Sequence, residues 1–113
     1  MPGLLEGKAA AITGAVTGIG RAIALGYLAQ GASVAVNHLG DPVSKKHWET
    51  LEEEAKAILP PFTSVESRLI AVPGDVANPE TGERLIQETV KAFGKLDIFI
   101  SNAGVCVFSE FLE

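Results

Sequence analysis

Apolar residues fall along this chain in short unbroken runs, separated by longer stretches in which they recur every three or four positions. The run Ala9-Ala10-Ala11-Ile12 predicts a strand over residues 8–13. Ile23, Ala24, Tyr27 and Leu28 keep a helical spacing and predict a helix over residues 19–30, stopped by Gly31. Val34-Ala35-Val36 predicts a second strand over residues 33–37. Leu39-Gly40-Asp41-Pro42 then leads into a helix over residues 43–59, with Trp48, Leu51, Ala55 and Ile58 as its buried stripe. Pro60-Pro61 ends that helix, because proline neither continues a helix nor tolerates one before it. Residues 62–67 read as a linker. A third strand is predicted over residues 68–72 and is closed by Pro73-Gly74-Asp75. Asn78 and Pro79 fit the cap and first turn of a third helix that ends at Phe93-Gly94. Leu85, Ile86, Thr89, Val90 and Phe93 form its inner stripe. A fourth strand follows over residues 96–101, then the turn Asn102-Ala103-Gly104.

This βαβαβαβ order predicts an α/β fold, a parallel sheet with helices on both faces. The expected strand order is 3-2-1-4, the N-terminal half of a doubly wound, Rossmann-type sheet. Residues 1–113 are expected to be a single unit of that kind. In such a sheet a ligand lies across the carboxyl ends of the strands, at the switch between strands one and four. Every candidate motif in the sequence sits at such an end.

The most informative motif is Thr13-Gly14-Ala15-Val16-Thr17-Gly18-Ile19-Gly20, set between a predicted strand and a predicted helix. That context turns a glycine pattern into a phosphate-site hypothesis. Gly14 permits the tight turn, Gly18 lets a diphosphate approach the backbone, and Gly20 lets the helix pack close to the sheet. The free N–H groups and the positive end of the helix dipole then face the anion. Asn37 ends strand two, where dinucleotide folds commonly place an acid on the adenosine ribose. An asparagine there can hydrogen-bond the ribose without repelling a 2′-phosphate, and His38 could help to bind one. The expected cofactor is therefore NAD or NADP, with no choice between them. At the end of strand three, Asp75 and Val76 offer a carboxylate and a backbone N–H that can reach an adenine edge; the plainer reading is a turn with Gly74. Asn102, Ala103 and Gly104 are ordinary turn residues that would also let a nicotinamide ribose sit against the backbone.

Composition narrows the function further. The chain has 113 residues, a formal net charge of −5 and 47% hydrophobic residues. Disorder is not expected from such a composition. An acidic balance without a basic patch argues against a nucleic-acid partner. No apolar run is long enough to span a membrane, and residues 1–6 lack the basic start and apolar stretch of a signal peptide. The single cysteine, Cys106, cannot form an internal disulfide, which predicts a reducing, cytoplasmic setting. His47 and the run Glu52-Glu53-Glu54 read as solvated helix surface, and Trp48 as core. Two histidines and one cysteine give no metal-ligand spacing, so no metal site is expected.

Taken together, Thr13-Gly14-x-x-x-Gly18-Ile19-Gly20, Asn37, Asp75-Val76 and Asn102-Ala103-Gly104 resemble, in order and spacing, the N-terminal half of a short-chain dehydrogenase/reductase. Val36-Asn37-His38-Leu39, Pro79-Glu80-Thr81-Gly82 and Ser101-Asn102-Ala103-Gly104-Val105-Cys106 are similar to the fungal L-rhamnose 1-dehydrogenases within it. The resemblance implies that Gly14, Thr17, Gly18, Ile19 and Gly20 cradle the cofactor, that Asp75 and Val76 hold the adenine, and that Asn102 and Gly104 flank the nicotinamide ribose. It implies oxidation of an aldose at its anomeric hydroxyl to the lactone, with hydride passing to NAD or NADP. The family's Ser and Tyr-x-x-x-Lys lie in a C-terminal half, and the longer form is expected to be a homo-oligomer. Here Tyr27 is the sole tyrosine and Gly31 stands four positions on, so no catalytic residue is assigned. The chain is expected to stop short of the catalytic half and to be inactive alone. A non-catalytic dinucleotide-binding module, or part of a ketoreductase for acyl or steroid substrates, stays open on the residues alone.

Overall fold

The computed structural model describes residues 3–102. Its elements run β1 (Ala9–Ile12), α1 (Gly18–Ala29), β2 (Ser33–His38), α2 (Pro42–Ile58), a 3-10 turn (Val65–Ser67), β3 (Leu69–Pro73), α3 (Pro79–Phe93) and β4 (Ile98–Ile100). The strands form one parallel sheet in the order β3-β2-β1-β4, the order expected from the sequence. Ile12 pairs with Val36 on one side and Ile100 on the other, so β1 and β4 end level while β2 runs on two residues to His38.

Strand alternation sorts the core into two unequal layers. Ile12, Val34, Val36 and Leu69 pack beneath α1 and α2 with Ala24, Leu28, Leu51 and Ala55. Ala11 and Ala35 face the other way, toward Leu85 of α3, with Val72 beside them. Branched residues fill the two-helix side, while alanines let one helix come close on the other. The Asp97 carboxylate accepts from the Ala9 N–H at 2.9 Å and pins the start of β1 to the approach of β4. That bond holds its carboxyl below the ordinary carboxylate range. Arg68 donates to the Ala32 carbonyl at 2.6 Å, tying the entrance of β3 to the turn between α1 and β2.

Helix boundaries follow their caps. The Asp41 side chain accepts from the Ser44 N–H at 2.7 Å, so α2 begins at Pro42. The Asn78 side chain accepts from the Glu80 N–H at 3.0 Å, with Pro79 at the first helical position as predicted. Gly94 closes α3 in the left-handed conformation at φ 82°.

Three sequence expectations are corrected. Leu59, not Ile58, is the buried apolar residue at the end of α2, because the chain leaves the helix at Leu59 and turns it inward. Residues 62–67 are not a plain linker: Val65 is buried in the core and the 3-10 turn carries it there. Ile86 and Val90 stand on the outer side of α3, and the residues buried there are Thr81, Leu85 and Thr89. With alanines opposite, the contact stripe of α3 is narrow, and the helix seats through a single row of side chains four apart.

Candidate functional site

The glycine turn leaves β1 and enters α1 without a side-chain cap. Thr17 is extended at φ −138° and ψ 162° and makes no capping bond. The N–H groups of Gly18, Ile19 and Gly20 therefore have no partner within the helix. Gly18 sits at φ 57°, a conformation that favours glycine, and a Cβ built there meets nothing within 4 Å. Gly20 is the opposite case. A Cβ there would lie 2.5 Å from the Gly14 carbonyl oxygen and 2.7 Å from the Asn102 amide nitrogen. One glycine is open toward an incoming group and the other is closed against the sheet. Ile19, 70% exposed, stands at the lip of the turn. Three uncapped N–H groups, a helix dipole and open space in front of the backbone fit a diphosphate.

The four strand ends are held together by two asparagine side chains. Asn37 accepts from the Gly14 N–H at 3.3 Å and donates to the carbonyls of Val72 at 3.1 Å and Gly74 at 3.0 Å. Its own carbonyl accepts from the Ala15 N–H at 3.0 Å. Asn102 donates to the Gly14 carbonyl at 3.0 Å. Gly14 is thus bonded to the residues that end β2 and follow β4, and the exit of β3 hangs on the same amide as the glycine turn.

Two of the candidate cofactor residues are buried. Asn37 is only 2% exposed and the hydrogen bonds of its amide are internal to the protein. His38 is buried as well, stacked on Trp48 with ring centroids 6.5 Å apart. Its Nδ1 accepts from the Gly40 N–H at 3.0 Å. Burial holds the imidazole below its ordinary value of 6.5, helped by Lys45 and opposed by Asp41. The residues that do face outward after β2 are Leu39, which is exposed, and the Asp41 cap.

The shifted histidine carries a pH prediction. A pKa lowered by folding means that the unfolded chain binds more protons as pH falls through 6.5, so stability rises with pH across that window. The melting temperature is expected to be lower at pH 5.5 than at pH 7.5, above the range where the carboxylates titrate. His38→Gln should flatten that slope. An unchanged slope in the variant would show that another group carries it.

At the exit of β3, Asp75 is exposed and its carboxylate accepts from the Ala77 N–H at 2.9 Å, while its carbonyl accepts from the Asn78 N–H at 3.0 Å. The turn runs forward from Asp75 to Asn78 rather than with Gly74, and it orders the carboxylate at the sheet end beside Val76, itself 41% exposed. Ala103 and Gly104 lie outside the described residues.

Two contributors escaped the sequence reading. Arg21 donates to the Val16 carbonyl at 3.1 Å and the His47 carbonyl at 3.0 Å, and meets the Glu54 carboxylate at 2.6 Å. It clamps the glycine turn to α2 across a long gap in sequence that no local pattern signals. Trp48 was read as core, and its specific task is to roof His38. Period two along β2 places His38 on the face of Val34 and Val36, under α2, which was the available signal. Among the described residues no group of acidic, histidine or cysteine side chains could hold a metal ion, and no helix is long and apolar enough to cross a membrane.

Known proteins resemble this chain in sequence and in fold. An L-rhamnose-1-dehydrogenase of Scheffersomyces stipitis is 47% identical over 113 residues, covering 100% of this chain and 41% of the relative. An L-rhamnose 1-dehydrogenase (NAD(P)(+)) of a Sphingomonas species is 41% identical over 110 residues, covering 97% of this chain and 39% of the relative. The C-domain of a bacterial malonyl-CoA reductase, solved with NADP, superimposes with a TM-score of 0.77 at 33% identity, covering 90% of this chain and 15% of that one. The chain thus spans about two fifths of the length of the curated relatives it matches. The sequence profile of the short chain dehydrogenases matches residues 8–113, from the foot of β1 onward, and the chain belongs to that family.

Proposed function

We propose that this chain is the nicotinamide-dinucleotide-binding part of a sugar dehydrogenase that oxidises L-rhamnose or a like aldose at C1 to the lactone. Its cofactor is NAD or NADP. The observation that carries the sugar assignment is the 47% identity to an L-rhamnose-1-dehydrogenase along the whole chain. The uncapped turn at Gly18 to Gly20 carries the cofactor assignment. A bound NAD or NADP would supply the hydride acceptor for C1 of the sugar, whose anomeric hydroxyl would give up its proton to a base. The residues present do the holding. The N–H groups of Gly18, Ile19 and Gly20 take the diphosphate, Asp75 and Val76 border the adenine, and Asn102 fixes the turn from the nicotinamide side. Tyr27, the sole tyrosine, lies on α1 with its ring against the α2-side core and has Gly31 four residues on, so it is no proton acceptor for the sugar. The reading places the proton-transfer Ser and Tyr-x-x-x-Lys in a further segment. It also makes the working enzyme a cytoplasmic homo-oligomer.

The test has two arms. Cofactor at about 100 times Kd stabilises a native chain by ~2.7 kcal/mol, a melting shift on the order of 10 °C for a domain of this size. The chain alone is expected to gain that stability from NAD or NADP and to form no reduced cofactor with L-rhamnose. No shift with either dinucleotide would remove the binding assignment. Turnover by these 113 residues would overturn the assignment of catalysis to a further segment. Coding sequence past Glu113 with a Ser and a Tyr-x-x-x-Lys, whose product prefers acyl ketones to L-rhamnose, would overturn the sugar assignment.

A further inference from the structure

At the carboxyl end of β2, Asn37 occupies a place near which dinucleotide folds meet the adenosine ribose, yet every bond it makes is internal. The two N–H groups of its amide face the carbonyls of Val72 and Gly74, and its oxygen faces the Gly14 N–H. This pattern also fixes the amide's orientation, since two carbonyls need donors and one N–H needs an acceptor. We infer that Asn37 is a positioning residue that locks the phosphate-binding turn to the exit of β3, so that the diphosphate and adenine ends of the site are set by one side chain that touches neither. This rests on the dinucleotide reading above.

The consequence concerns cofactor choice. Discrimination between NAD and NADP in this chain does not run through Asn37, whose side chain is turned inward. An aspartate at position 37 would keep an acceptor for Gly14 but would set a carboxylate against two carbonyl oxygens. It would loosen the turn and the β3 exit together without presenting an acid to the ribose.

Two measurements test this. In the ¹⁵N-labelled wild-type chain, the side-chain amide protons of Asn37 should exchange slowly with water before any ligand is added. Adding NAD or NADP should shift the backbone amides of Gly18, Ile19 and Gly20 and leave the Asn37 exchange rate unchanged. Fast exchange in the free chain, or protection that appears only with NAD, would overturn the inference. Immobile Gly18 to Gly20 amides would instead count against dinucleotide binding, whereas Asn37 protection is read without ligand. In Asn37→Asp, Kd for both cofactors is expected to rise about tenfold, equivalent to ~1.4 kcal/mol, with their ratio changed less than about twofold. A tenfold gain in preference for NAD would assign Asn37 to the ribose and sink the positioning role. Should Asn37→Asp fail to fold, the wild-type exchange measurement still decides.

Discussion

Gly20→Ala is expected to destabilise the chain by roughly 3 kcal/mol, toward the upper end of what overpacking costs, and to lower its melting temperature by on the order of 15 °C. The added methyl has nowhere to go. It would lie 2.5 Å from the Gly14 carbonyl oxygen and 2.9 Å from the Ala15 Cα, and both are backbone atoms. On its third side is the Asn102 amide at 2.7 Å, the group that ties β4 to the turn. Relief requires α1 to lift from the sheet, which uncovers Ala24 and Leu28 and misplaces the N–H groups that face the anion. Gly18→Ala provides the contrast. That site is open, so the expected stability loss is only the strain of a left-handed alanine, about 1–2 kcal/mol. Its methyl would stand where a diphosphate approaches, so cofactor affinity should fall by more than stability does. Thermal melts and NAD titrations of the two variants separate the roles. The assignment fails if Gly20→Ala melts like the parent, or if Gly18→Ala binds NAD unimpaired.

The contrast also shows which parts of the site were legible beforehand. Short apolar runs at β1 and β2 and the Asn78-Pro79 signal gave the element order, and right-handed connections then left little choice of strand order. The glycine spacing located the turn, because backbone geometry of that kind leaves few residue options. Asn37 and His38 were located but not understood. A sequence places a residue at a strand end without saying which neighbours claim its hydrogen bonds. Here the carbonyls of Val72 and Gly74 do so from far along the chain. Arg21 was missed for the same reason: its partners, His47 and Glu54, belong to another helix. The placing of Ile86 and Val90 inside α3 failed differently. Apolar residues at helical spacing mark a stripe, but its width depends on what lies opposite, and Ala11 and Ala35 leave room for a narrow one only.

That narrow seat sets the second large effect. Leu85→Ala is expected to cost about 3–4 kcal/mol, within the range for buried leucine truncation. Leu85 is fully buried among Ala11, Ala35 and Val72, with Ile70, Phe93 and Leu96 packed around it. The alanines cannot reach into the space it would leave, so the cavity collapses little. Thr89 cannot help either, since its hydroxyl donates to the Leu85 carbonyl at 2.6 Å within the helix. Ile86→Ala, one residue along and 42% exposed, should cost less than about 1 kcal/mol. Urea denaturation of the pair reads the difference as a midpoint shift at constant m-value. The two substitutions also differ in reach. The turn from Asp75 to Asn78 leads directly into α3, so loosening the helix at Leu85 should weaken NAD binding at the adenine side while Ile86→Ala leaves it unchanged. Equal losses for the two variants would mean that α3 sits on the sheet through a broader face than its burial pattern describes, and would return Ile86 to the core.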